Sequence, residues 1–216
     1  MKFIDETSLI QGVTKDERII FTRLEESHFE HEEDFNVLSS IFSDLALNKV
    51  ADSILYSRLA QRLEFMSQEI DDEEEAEEYE GLSEILDEHS EEEFEFFKDV
   101  FAIAMEFGYA CGISFTNLPE ASSMKFQSPQ EMIDFVQNRE LKSLFKFYTL
   151  FSVMKMNPVL NHLDEESQVE YLILIKSIIQ KEIEHFEELS EFSHVGMDDK
   201  TQNTISEIKT EIEKGI

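Results

Sequence analysis

Ser128-Pro129-Gln130-Glu131 opens the stretch that decides the fold, a run that reaches Met156 and breaks at Asn157-Pro158. The Ser oxygen can accept from orphan backbone N–H groups. Proline sits at the first helical position, where its missing N–H costs nothing, and a Glu follows at the third. These signals predict a helix from residue 129 to about Met156. Along it Phe145, Tyr148, Phe151 and Met154 recur at i, i+3, i+6 and i+9, a face suited to a core or to a second helix.

Downstream the same logic repeats. Asp164 is placed to cap a helix whose apolar positions are Val169, Leu172, Ile173, Ile175, Ile179, Ile183, Phe186 and Leu189. After a break at Gly196, Ile205, Ile208 and Ile212 mark a last amphipathic helix. Upstream, residues 113–128 lack any period, contain Pro119 and read as a loop. Thr14–Glu17 and Ser90–Glu93 both fit a capping box. They predict one helix from about Lys15 to Leu45 and another from Ser90 to around Gly108. Between these, Asn48 is expected to cap a helix carrying Ala51, Leu55, Leu59, Leu63 and Ile70. Gly81 is expected to end its acidic extension, and a short helix is expected over 82–89.

No segment alternates with period two. Only six Gly and three Pro leave room for few turns. The expected class is therefore all-α: an irregular bundle of six to seven helices with an acidic helical or loop segment. The chain divides into an acidic region 1–112, a loop 113–128 and a helical region 129–216, together expected to form one compact domain.

Charge narrows the function. The chain carries a formal charge of −31, and seventeen of the thirty-five residues between Arg62 and Lys98 are Asp or Glu, with no Lys or Arg among them. Such a surface repels nucleic acid and anionic membrane. It suits instead a basic protein partner, which carboxylates can steer and hold. The densest acids are Asp71, Asp72, Glu73, Glu74, Glu75, Glu77, Glu78 and Glu80, followed by Glu91, Glu92, Glu93 and Glu95. Fully helical, the first group would rise about 1.5 Å per residue, close to the charge spacing of about 1.7 Å along duplex DNA. Tyr79, Phe94, Phe96 and Phe97 stand beside these acids as apolar anchors. The leading expectation is a non-catalytic inhibitor of a basic, nucleic-acid-handling protein: an immunity protein, a DNA mimic or an anti-defence inhibitor. A helical adaptor, or a chaperone for a basic client, is the related alternative. Homo-oligomers are compatible with either.

A second class of function rests on metal. Glu25-x-x-His28 and Glu182-x-x-His185 each place a carboxylate and an imidazole on one helix face, as in ferritin-like di-iron bundles. With Glu64, Glu69 or Glu106 as further ligands, the pairs would suit a di-metal oxidase using Fe or Mn. The weight against it is that forty-nine acids and six His make chance pairs common. Glu25, His28, His31 and Glu32 could also bind a stray ion on the surface. No phosphate loop, H-E-x-x-H or nucleophile elbow is present. Cys111 is the single cysteine, and the first residues lack the apolar stretch of a signal peptide, so a cytoplasmic protein is expected.

Overall fold

A computed structural model describes residues 32–107, 126, 128–156, 164–193 and 199–214. Five helices occupy them: α1 Glu32–Ser67, α2 Glu73–Glu106, α3 Pro129–Met156, α4 Glu165–Glu191 and α5 Asp199–Glu213. Among the described residues there is no strand, and no helix is long and apolar enough to cross a membrane. The all-α expectation holds, and among the described residues the helices are longer than expected.

The reason is local. Neither Asn48 nor Gly81 interrupts a helix; both lie inside one. α1 has no Gly or Pro in 36 residues, and the propensity cost of one Asn is only a few tenths of a kcal/mol. The real break is at residues 68–72, before the acidic run. There the Asp72 carboxylate caps α2, accepting from the Glu74 and Glu75 N–H groups at 3.1 Å. Glu73, Glu74 and Glu75 then sit at the positive end of the helix dipole. Ser90, expected as a cap, instead lies mid-helix and donates to the Ser53 carbonyl at 2.9 Å. The starts at Pro129 and after Asp164 fall where the capping signals put them. The expected start at Thr14 lies outside the described residues.

α1 and α2 form a long antiparallel hairpin. Ser83 donates to Ala60, Ser90 to Ser53 and Ser39 to Ala104, so each step of seven along one helix is matched by seven back along the other. That constant register is the seam of an antiparallel coiled coil. α3 and α4 make a second hairpin, held by Gln137 Nε2 donating to Ser190 Oγ at 3.0 Å. α5 covers one end with Ile205, Ile208 and Ile212.

The two hairpins face each other across a core drawn from both sides of the 113–128 segment. It falls into two apolar clusters. One is built around Phe42, Ile103, Phe147, Ile179 and Ile208, the other around Leu59, Leu82, Leu86, Val136 and Leu189. Between them every helix of the two hairpins turns a charged residue inward.

Candidate metal centre

The inward-facing charges are Lys49 and Asp52 on α1, His89 and Glu93 on α2, Glu140 on α3, and Glu182 and His185 on α4, each at most 4% exposed. Helical spacing of three or four residues puts each pair on one face. Burying this many charges without partners would cost several kcal/mol per ion, so their partners define the site.

His89 and His185 stack face to face, with ring centroids 3.7 Å apart and planes at 21°. Each ring's Nε2 meets an outer carboxylate: Glu188 Oε2 at 2.8 Å for His89, and Glu92 Oε2 at 2.7 Å for His185. An ionised carboxylate only accepts, so both Nε2 atoms donate. Lys181 Nζ holds Glu92 from its other side at 3.1 Å. Both Nδ1 atoms are then turned inward, and neither has a hydrogen-bond partner. Both oxygens of the buried Glu140 carboxylate also lack one. His89, His185 and Glu140 bring one ligand atom each to within 4.8 Å of one another.

Glu93, Glu140 and Glu182 form a second set within the same 4.8 Å, sharing Glu140 with the first. Here Glu93 and Glu182 are each engaged through one oxygen, while their Oε2 atoms, like both oxygens of Glu140, have no hydrogen-bond partner. Lys49 Nζ donates to Glu93 Oε1 at 2.9 Å, lies 2.8 Å from Oε2, and also bonds Glu182 Oε1. Ser143 Oγ donates to the same Glu182 oxygen at 2.8 Å. Beside this set Arg139 pairs with Asp52.

The electrostatics follow from burial and crowding. Burial alone would lower His185, but Glu140 and Glu92 outweigh it and lift the imidazole to about 9. His89 is lowered, by burial first and then by His185 beside it. Burial would raise Glu140, yet His185, Lys49 and His89 hold it down to about 2. His185 Nδ1 is 3.7 Å away and acts through charge rather than a hydrogen bond. Glu93 moves the other way, to about 7, because burial and the negative neighbours Glu140 and Asp52 outweigh Lys49.

A cavity of about 170 Å³ opens between α1 and α3 beside this layer, lined in part by Asn48, Asn138, Arg139, Lys142, Ser143 and Lys146. Ser143 lines the cavity and bonds Glu182, so its floor is one side chain from the centre.

Of the metal residues expected from sequence, Glu182 and His185 reach the centre, while Glu25 and His28, like His31, lie outside the described residues. Glu64 and Glu69 are exposed and stand apart from it. Glu106 accepts instead from Tyr171 Oη. The acids expected to meet a partner divide. Asp71, Asp72, Glu73, Glu74, Glu75, Glu77, Glu78, Glu80, Glu91 and Glu95 are exposed. Glu92 and Glu93 are not surface acids in that sense, being committed to His185 and Lys49. Phe96 and Phe97 pack on the core, and Phe94 is exposed. Sequence reasoning missed His89, Glu140 and Lys49. Their one signal is a charge at a core position, as with Glu140 four residues from both Val136 and Leu144.

Comparison of the chain with family models, with curated proteins and with solved structures finds no match.

Proposed function

We propose that this chain is a metalloprotein that holds a redox-active divalent ion, iron or manganese, between its two helical hairpins and uses it for oxidative chemistry. The observation that carries this reading is the convergence of the buried His89, His185 and Glu140 side chains, whose Nδ1 atoms and carboxylate oxygens have no hydrogen-bond partner. His185 Nδ1 stands 3.7 Å from Glu140 and 3.8 Å from Glu93. Buried polar groups are nearly always satisfied, and this set supplies what a cation would satisfy. The outer carboxylates Glu92 and Glu188 support the same reading, because a ligating His commonly donates its other N–H to such a group. Two imidazoles and one carboxylate leave coordination positions open, the donor set of non-haem Fe(II) oxygenases. Lys142 and Lys146, beside the Arg139–Asp52 pair in the adjacent cavity, favour a small anionic substrate. The test is elemental analysis of the chain after removal of metal and reconstitution with ferrous or manganous ion. Retention by wild type and loss in His89→Ala and Glu140→Ala are expected. A wild-type chain that retains neither ion ends the reading.

The acidic face favours a second reading, docking onto a basic protein. Glu73, Glu74, Glu77 and Glu78 are exposed, and none forms an ion pair among the described residues. Capture of a basic partner that survives in the Glu73→Gln, Glu74→Gln, Glu77→Gln, Glu78→Gln variant would count against it.

A further inference from the structure

We infer that Lys49 takes the place of a second metal ion, so that a constellation with the carboxylates for two ions holds only one. This deepens the metal reading above and rests on it. The buried layer contains two ligand sets that share Glu140. In the first, His89, His185 and Glu140, the inward-facing atoms lack hydrogen bonds. In the second, Glu93, Glu140 and Glu182, a cation is already present. The Lys49 ammonium lies within 2.9 Å of both Glu93 oxygens and bonds Glu182. It thus touches carboxylates from two helices, as a bridging divalent ion would.

The surroundings hold it there. The rings of Phe147 and Phe96 face Nζ at 5.4 and 5.9 Å, attracting the charge while excluding water. Ser143 Oγ supplies a hydrogen bond to the same Glu182 oxygen. Lys49 and Glu93 have no exposed side-chain surface, so neither can swing to solvent without opening the hairpin. A divalent ion entering this set would meet a fixed ammonium of like charge that already bonds Glu93 Oε1 and Glu182 Oε1. Once that ammonium is removed, those oxygens join Glu93 Oε2, Glu182 Oε2 and the Glu140 carboxylate, which have no hydrogen bond, as open ligands. At the histidine set Lys49 acts on Glu140 through its charge but makes no hydrogen bond to it, and a metal displaces the imidazole proton when it binds. The expected product is a single-ion His89/His185/Glu140 centre with an organic cation beside it. Such a centre differs from a two-metal one in the number of electrons its metal can deliver.

The experiment counts ions. The full chain is stripped of metal and reconstituted anaerobically with manganous ion. After desalting, bound manganese is measured by elemental analysis and electron paramagnetic resonance, while circular dichroism reports the fold. Wild type and Lys49→Arg should each hold one ion per chain, with the signal of an isolated centre. Lys49→Met and Lys49→Glu should hold two, with the signal of a coupled pair. If they unfold without metal, manganese should restore their helix content. Two coupled ions in wild type would overturn the inference while leaving the metal reading intact. So would a single ion in folded Lys49→Met and Lys49→Glu, or helix content in both that manganese does not restore. No ion in wild type would remove both.

Discussion

The proton inventory of the buried layer makes stability depend on pH with a definite sign. Glu93 is raised from 4.5 to about 7 and His185 from 6.5 to about 9. Each therefore contributes stability that is complete below its ordinary value and lost as pH rises through the higher one. Glu92 and Glu140 are lowered from 4.5 to about 2, Glu92 mainly by the His185 hydrogen bond. Their contribution is complete above 4.5 and lost as pH falls toward 2. By these four groups the metal-free chain passes its maximum near pH 4.5, where Glu92 and Glu140 have reached their full contribution and Glu93 begins to lose its own. The lowered His89 works the other way up to pH 6.5, above which the loss is unopposed. Urea midpoints in the presence of chelator should fall from pH 6.5 to 9; a rise over that range would contradict the layer described here. A second expectation concerns the outer carboxylates. Glu188→Gln, which weakens the acceptor for His89 Nε2, should loosen manganese binding about 10- to 100-fold, measured by titration with the free ion. Little of this layer was legible in the residues alone. Glu182 and His185 share a helix face and could be read from spacing. His89 and Glu140 come from two other helices, and only the packing of hairpin on hairpin brings them together. Glu93 was misjudged because a run of five residues with four acids looks like surface, although one position of any such run faces inward.

Helix ends were legible where a cap is chemically committed and misread where it is not. Ser128-Pro129 and Asp164 are real starts because each offers a side-chain oxygen to an N–H group of the first turn. Asn48, Gly81 and Ser90 carry the same residue types inside helices, where tertiary packing overrides a local preference of about 1 kcal/mol or less. Gly81 can be tested directly. A Cβ at this position would meet only the Phe192 ring, at 3.9 Å, which is ordinary contact. Gly81→Ala should therefore stabilise the chain by about 0.5–1 kcal/mol, seen as a higher urea midpoint with an unchanged slope. A loss of stability would mean that the break expected there from sequence has some reality. The serine stitching of α1 to α2 was also hidden, because seven-residue spacing between serines has no meaning until the partner helix is in register.

At the scale of the whole molecule, the all-α class followed from the shortage of Gly and Pro and from long apolar stripes at helical spacing. The arrangement of those helices did not, since stripes state which face is buried and not against what. The chain sets two kinds of acid apart. The exposed ones on the first turns of α2 define a strongly negative face, whereas Glu93, Glu140 and Glu182 sit at the meeting of two hairpins, between two apolar clusters. Within the second group Glu93 and Glu182 hold the Lys49 ammonium, and Glu140, beside His89 and His185, brings the burial and the unsatisfied oxygens of the proposed metal site. The most direct test is a crystal structure of the manganese-reconstituted chain, with anomalous scattering used to locate the ion. One peak is expected, within coordinating distance of His89, His185 and the Glu140 carboxylate. A reconstituted crystal with no peak in the buried layer, or with manganese only on the exposed acids of α2, would contradict it.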